Sequence, residues 1–352
     1  MEIKINHSAI CENIEIIQKF TNKAVITVVK NNAYNIGLQQ VCEEVIKTNS
    51  KTVALLELRD AVFLRGLFPE LGILLMNPVT NISEISLACK HDIMLIIPSF
   101  KWLAKYGKAL QGISLHLKVD VGMNRFGVTT VNEALQVLDF CKNAGLNLVG
   151  LYTHFPMAEV STDPLHDCQV AKFANLYEQI KELWSFTYIH AENSRTIANN
   201  DKRLDFCTHV RPGIFVYGYN PYPIQLAFIL MPTVFVYASV IAKQQLPANS
   251  WLGYGKTYQT ETTAEVAILS IGYGDGIMKE RLLNFPVTIN NQQYQCVRVL
   301  MSHTFILSDE NVSIGDVVEI YGEHLQIGEF AANLDIPASQ QLAMLHLSSR
   351  EN

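Results

Sequence analysis

The chain's strongest constraint on its own folding is a rhythm. From residue 7 onward, segments of helical spacing alternate with short apolar runs rich in β-branched residues across roughly 210 residues. The first run, Ala24-Val25-Ile26-Thr27-Val28-Val29, ends at Lys30, and a short polar turn holding Tyr34 closes at Gly37. Runs apolar at every position read as strands buried on both faces, as in parallel sheets. Further strands are expected at Thr52–Leu58, Leu71–Met76, Ile93–Ile97, Ser114–Val119, Leu148–Thr153 and Phe186–His190, with an eighth near Phe215–Tyr217. Helical spacing fills the intervals, for example Ile10, Ile14, Ile17 and Phe20 before the first strand. Eight strand–helix units of this size predict an α/β fold, a (β/α)8 barrel. A doubly wound sheet is the alternative, but the first turn lacks a G-x-G-x-x-G fingerprint.

Past Gly218 the texture changes. Thr233–Ala242, Glu265–Ile271, Val287–Ile289, Cys296–Met301 and Val317–Tyr321 are β-rich and separated by Gly, Asn and Pro. Helical spacing is nearly absent until Ser339–Leu347. The expected division is residues 1–220 for the barrel and 221–352 for a mostly β C-terminal domain. At 352 residues, one large and one smaller domain is the natural prior.

Composition excludes several classes. With 33 acidic against 27 basic residues the formal net charge is −6, which argues against a broad nucleic-acid surface. No apolar run reaches membrane-spanning length, and Met-Glu-Ile-Lys-Ile-Asn shows no basic region followed by an apolar one, so no signal peptide is expected. The 7 cysteines are scattered without a C-x-x-C pair, so neither a metal site nor a disulfide framework is indicated and a reducing cytoplasm is expected.

In a barrel of this type chemistry sits at the C-terminal ends of the strands. The polar residues there are Lys30 and Tyr34, then Lys118 through Asp120 to Arg125, then His154, then His190 to Ser194, with Arg211-Pro212-Gly213 opening the eighth unit. A lysine at the lip of a buried strand is partly desolvated, a condition that favours the neutral, nucleophilic amine and Schiff-base chemistry. Each residue also has an ordinary reading: a snorkelling lysine, a core histidine, an Asn-Ser helix cap, a surface arginine, an exposed tyrosine in Gly272-Tyr273-Gly274.

Together these segments resemble the alanine racemase family over nearly the whole chain and in family order. The carriers are the Lys30–Tyr34 turn, Lys118-Val119-Asp120 through Gly122-Met123-Asn124-Arg125-Phe126-Gly127, Thr153-His154-Phe155, Asn193-Ser194, Arg211-Pro212-Gly213 with Tyr217-Gly218, and Gly272-Tyr273-Gly274-Asp275-Gly276. The resemblance implies racemisation of L- to D-alanine for cell-wall synthesis, with pyridoxal 5'-phosphate carried on Lys30. It implies that Tyr34 and the backbone at Asn193–Ser194 and Gly213–Ile214 grip the phosphate. His154 lies against the pyridine ring and Arg211 faces its nitrogen. Arg125 meets the substrate carboxylate, oriented by Lys118, a position carbamylated in some members. Tyr273 is the second base, and with Met301 it comes from the partner subunit of a homodimer.

The chain also departs from the family pattern. Where Ala-x-Ala-Tyr-Gly-His-Gly commonly follows the lysine, Asn31 replaces alanine, and Asn35 and Ile36 replace Gly-His. Ser302 stands for an aspartate, Arg195 for a small residue, and Leu342-Ala343 aligns with a Tyr-Glu pair. These changes motivate a second reading, a racemase for serine or another amino acid; a third, from a different class, is a low-turnover pyridoxal-phosphate carrier or regulatory copy.

Overall fold

The computed structural model describes residues 1–157, 164–220, 222 and 224–346. Eight parallel strands close into a barrel: β2 (Ala24–Val28), β3 (Thr52–Leu55), β4 (Gly72–Leu75), β5 (Met94–Ile97), β6 (Ser114–Lys118), β7 (Asn147–Tyr152), β8 (Tyr188–His190) and β9 (His209–Val210). The helices between them use ordinary stop and start signals. Thr130 and Glu133 form a reciprocal capping box ahead of Val131–Ala144, while Asn81 and Ser99 cap Ile82–Lys90 and Phe100–Tyr106.

The eighth strand is not at Phe215–Tyr217. It is His209–Val210, two residues that pair with both β8 and β2. Residues 214–218 form a turn instead. Their bulky side chains mimic strand propensity, but they are buried as packing: Tyr217 donates its hydroxyl to Val28 O at 2.9 Å, and Val216 O accepts from Asn13 at 3.0 Å. Arg211 therefore follows the eighth strand and belongs to the rim rather than opening a unit. The short seam is reinforced by a buried ion pair, Lys23 Nζ to Glu192 Oε2 at 2.5 Å, with Lys23 also donating to Leu204 O.

Alternation along the strands divides the barrel interior into two halves. Strands β2–β5 contribute Ile26, Ala54, Leu74, Met94 and Ile96, an apolar cluster completed by Tyr152. Strands β6–β8 and the end of β9 contribute His116, Lys118, His190 and Arg211, all buried. Half the interior is a packed core and half is a polar column leading to one rim.

After the barrel comes an antiparallel sheet in the order β13 (Gln292–Tyr294), β12 (Val287–Ile289), β16 (Val317–Tyr321), β10 (Val234–Leu246), β11 (Ala264–Leu269), β15 (Thr304–Ser308), β14 (Cys296–Val299). The first strand of the chain, β1 (Glu2–Ile5), pairs with β10, so the N-terminus is part of this sheet. Helices Ile327–Leu334 and Ala338–Met344 follow the sheet and are the last elements among the described residues. The first of these has no counterpart in the sequence reading. Among the described residues, no helix is long and apolar enough to cross a membrane.

Candidate active site

Lys30 leaves β2 into a turn of the wrong hand. Asn31, Asn32, Ala33, Tyr34 and Asn35 all have positive φ, between 52° and 71°. The backbone closes a left-handed helical turn, with Asn35 N donating to Asn31 O at 2.9 Å and Gly37 N to Asn32 O at 3.1 Å. Left-handed geometry costs about 1–2 kcal/mol per ordinary residue, and asparagine tolerates it best outside glycine. Asn31 and Asn35 thus have a backbone reason to be there. Asn32 adds another, its Oδ1 accepting from Leu38 N at 2.9 Å at the start of the next helix. Burial, then the charge of Arg125, holds the Lys30 ammonium below the usual lysine range.

The turn lays Tyr34 against Tyr217, ring centroids 4.6 Å apart. Its hydroxyl lies so close to Gly213 that a Cβ there would be 2.3 Å from it. Ser194 Oγ accepts from Gly213 N at 3.1 Å and Phe215 N at 3.4 Å. Asn193 caps the helix Ser194–Asn199, accepting from Thr196 N at 3.0 Å. The Ile214 N–H has no hydrogen-bond partner among the described residues. A phenol, a hydroxyl and an open backbone N–H therefore converge on a cradle that only glycine leaves room for, and this donor set fits an anion such as a phosphate.

The polar column supplies the rest of the rim. Arg211 Nη1 donates to His190 Nδ1 at 2.7 Å, and Nη2 donates to Thr153 O at 2.8 Å and lies 3.4 Å from His154 Nδ1. Guanidinium can only donate, so His190 must carry its proton on Nε2, which donates a hydrogen bond to His116 Nδ1, 3.0 Å away. Burial first, and the Arg211 charge with it, holds His116 and His154 down to about 3 and His190 well below its ordinary value. All three are neutral at neutral pH. Burial lowers Arg211 to about 10, leaving it a cation there. Tyr152 stacks on His190 at 4.8 Å with the rings 6° from parallel.

Lys118 is 1% exposed and donates to Val119 O at 2.6 Å. Burial, with Arg211 adding to it, brings its ammonium down to about 7. Arg125 is presented by Asp120, whose Oδ1 accepts from the N–H groups of Gly122, Met123 and Asn124 and whose Oδ2 accepts from Arg125 N. Burial alone would raise the Asp120 carboxyl, but those N–H donors and Lys118 hold it low.

Lys30, Tyr34, His154, Ser194, Arg211 and Gly213 are thus gathered at one end of the barrel, and Lys118 lies in the column beneath. Tyr273 and Met301 are elsewhere. They share an exposed surface of the C-terminal sheet, where Tyr273 N donates to Leu300 O at 3.2 Å and Gly274 N to Met301 O at 2.8 Å. A Cβ on Gly272 would fall 2.3 Å from Leu300 O, which explains the glycine beside Tyr273. Lys279 Nζ lies 4.5 Å from the Tyr273 ring centroid. Sequence reasoning missed His116, His190 as part of a chain, and the role of Asp120. A histidine in the middle of a strand carries no signal in one sequence; only closure of the barrel brings β6 and β8 together.

Residues 5–221 match the model of the alanine racemase N-terminal domain, and residues 233–350 that of the C-terminal domain. The chain is 30% identical over 334 residues to alanine racemase 2 of Staphylococcus aureus (strain Mu50), covering 93% of this chain and 91% of that protein. Among solved structures it resembles the alanine racemase of Acinetobacter baumannii (27% identity, TM-score 0.86, 99% and 97% of the two chains). It also resembles that of Bacillus anthracis, determined with bound L-Ala-P (26%, 0.82, 97% and 92%). Barrel, rim lysine and β-sheet extension together with these matches define an amino-acid racemase, an isomerase. The chain belongs to the alanine racemase family.

Proposed function

We propose that the protein uses pyridoxal 5'-phosphate to interconvert L- and D-alanine by a two-base mechanism, supplying D-alanine for cell-wall synthesis in the cytoplasm. The observation that carries this reading is the convergence of a partly desolvated Lys30 with the Tyr34–Ser194–Ile214 anion cradle on adjoining strand ends. Bound there, the cofactor would make the α-proton of an attached amino acid acidic.

Tyr34, the Asn193–Ser194 backbone and the Gly213–Ile214 backbone are assigned to its phosphate, His154 to the face of its ring and Arg211 to the ring nitrogen. Because guanidinium keeps its proton, Arg211 leaves that nitrogen unprotonated and disfavours side chemistry such as transamination. His190, neutral and locked as an acceptor, fixes the fork of Arg211 in place. Arg125, held out by Asp120, takes the substrate carboxylate, with Lys118 supporting it. Lys30 Nζ, favoured as a neutral amine, takes the α-proton on one face. Tyr273 of the partner subunit returns a proton on the other, flanked by Met301 of the partner subunit. The homodimer is part of the proposal: Tyr273 and Met301 are exposed on the C-terminal sheet of their own chain, with the boundary between the two units taken near residue 220. Alanine as the substrate is supported by the L-Ala-P carried by the Bacillus anthracis relative.

Incubation with L-alanine in deuterated water tests both cofactor and substrate. Wild type loaded with pyridoxal phosphate should place deuterium at the α-carbon and accumulate D-alanine, while Lys30→Ala should lose the visible cofactor band and the exchange. No α-exchange with alanine in the loaded wild type would refute the reading. A second reading, racemisation of serine, is favoured by Ser302 beside Met301, and parallel rates on single L-amino acids decide between them. Full racemase activity in Tyr273→Phe would refute the two-base account, and a wild type that binds pyridoxal phosphate but turns over no amino acid would favour a carrier instead.

A further inference from the structure

The helix Ala338–Met344 touches both turns that carry the proposed bases. On one side, the Asn35 side chain donates from Nδ2 to Leu342 O at 3.0 Å and to Leu345 O at 2.7 Å. Asn35 is the last residue of the left-handed turn that begins at Lys30 and holds Tyr34. On the other side, Gln341 is fully buried, and its Nε2 donates to Gly276 O at 2.8 Å while its Oε1 accepts from Met278 N at 3.1 Å. Gly276 closes the short turn Tyr273–Asp275. Gln341 is itself fixed by the Tyr321 hydroxyl at 3.0 Å, from the centre of the C-terminal sheet. Both grips are side-chain amides on main-chain carbonyls; the Gln341 bond to Gly276 is buried and the two Asn35 bonds are partly buried.

We propose that Asn35 and Gln341 are positioning residues that fasten this helix between the Lys30–Tyr34 turn and the Tyr273 turn of the same chain, fixing one relative to the other. Leu342 is buried and apolar, so at this point the C-terminal segment offers the rim no polar side chain. The connection runs the other way, from Asn35 outward to the helix carbonyls. A left-handed position suits asparagine for this task, because the backbone conformation that glycine would also adopt comes with an amide that glycine lacks. The assignment of Lys30 and Tyr273 as bases rests on the function proposed above; the mechanical link does not. Where Tyr273 serves the partner subunit, the helix ties each chain's own Lys30 to the base it lends away.

The test is Asn35→Gly, which keeps the turn's backbone free of strain and deletes only the amide, with Asn35→Asp as a second variant that presents oxygen to the two carbonyls. Hydrogen exchange of peptides spanning 270–278 and 338–345 is followed by mass spectrometry on the cofactor-free protein, beside thermal unfolding. Both variants should exchange about tenfold faster in these two segments, as expected for loss of a partly buried pair of hydrogen bonds. Exchange elsewhere should match wild type. In the loaded enzyme kcat for alanine should fall several-fold while KM stays within about twofold, since the misplaced groups act on the proton and not on substrate binding. Unchanged exchange at 270–278 in both variants overturns the proposal, and so does acceleration spread evenly over the chain with a matching drop in Tm, which would make Asn35 a general stabiliser. Failure of the cofactor reading is seen separately, in a wild type that takes up no pyridoxal phosphate.

Discussion

Acid should unfold this protein through its buried imidazoles. His116, His154 and His190 are neutral in the folded state, and the Arg211–His190–His116 chain explains why: a proton added to His190 would set two donors against each other at 2.7 Å. The ordinary histidine value is near 6.5, and the folded values are about 3 for His116 and His154 and well below 6.5 for His190. A base whose folded pKa is depressed is charged more readily when unfolded. Stability should therefore fall as pH drops below 6.5 and keep falling until about 3. Each imidazole contributes about 1.4 kcal/mol per pH unit, so these three alone give a slope of about 4 kcal/mol per unit, and His209, held down to about 4 by burial, adds to it. Against a usual total of about 5–15 kcal/mol, that suffices to unfold the chain within a few units of neutrality. Urea titrations of the cofactor-free protein at intervals from pH 7 to 4.5 measure the slope. His116→Gln removes one imidazole, and its slope should be shallower by about 1.4 kcal/mol per unit. Carboxylates titrate equally in both proteins and cancel in the difference. Identical slopes for the two proteins would refute the neutral-chain argument.

Three other perturbations follow from single contacts. Gly213→Ala places a methyl 2.3 Å from the Tyr34 hydroxyl and should weaken pyridoxal-phosphate binding by about tenfold or more while leaving the circular dichroism unchanged, as read by absorbance titration. Lys23→Met leaves Glu192 buried without its cation at the barrel seam, and should cost about 3–5 kcal/mol in urea unfolding. At pH 8 most of Lys118 is neutral amine, because burial holds it at about 7, so it should add carbon dioxide with loss of a proton. Carbon-13 NMR with labelled bicarbonate should show a carbamate signal that disappears in Lys118→Ala; a spectrum without that signal in wild type would exclude the modification. The same depressed value means Lys118 favours the folded state increasingly as pH rises from 7 towards 10.5.

Much of the architecture was legible because its cause is local. Seven of the barrel strands announce themselves as short, largely apolar runs of the right length, and the helices between them by spacing and caps. The eighth failed because a two-residue strand carries no periodicity, while the buried turn at 214–218 has strand-like composition. In the C-terminal sheet, β1, β13 and β15 were missed: β1 because its partner, β10, lies beyond the whole barrel along the chain, β13 for being three residues of polar sequence, and β15 for lacking clear alternation. For the rim, position at strand ends was enough to find Lys30, His154, Asn193 and Ser194. It was not enough to find His116, whose partner is 74 residues away.

The sequence by itself determined the strand–helix alternation, the place of Lys30 at a strand end and the order of the motifs, since each rests on side chains a few residues apart. Tertiary structure decided the rest. The left-handed turn at 31–35 is paid for by distant contacts, of Tyr34 with Tyr217 and of Asn35 with the C-terminal helix. The protonation of His190 is dictated by Arg211 across the barrel, and the value of Lys118 by its burial there. Burial and charge depend on what surrounds a group in three dimensions, and no spacing along the chain encodes that directly.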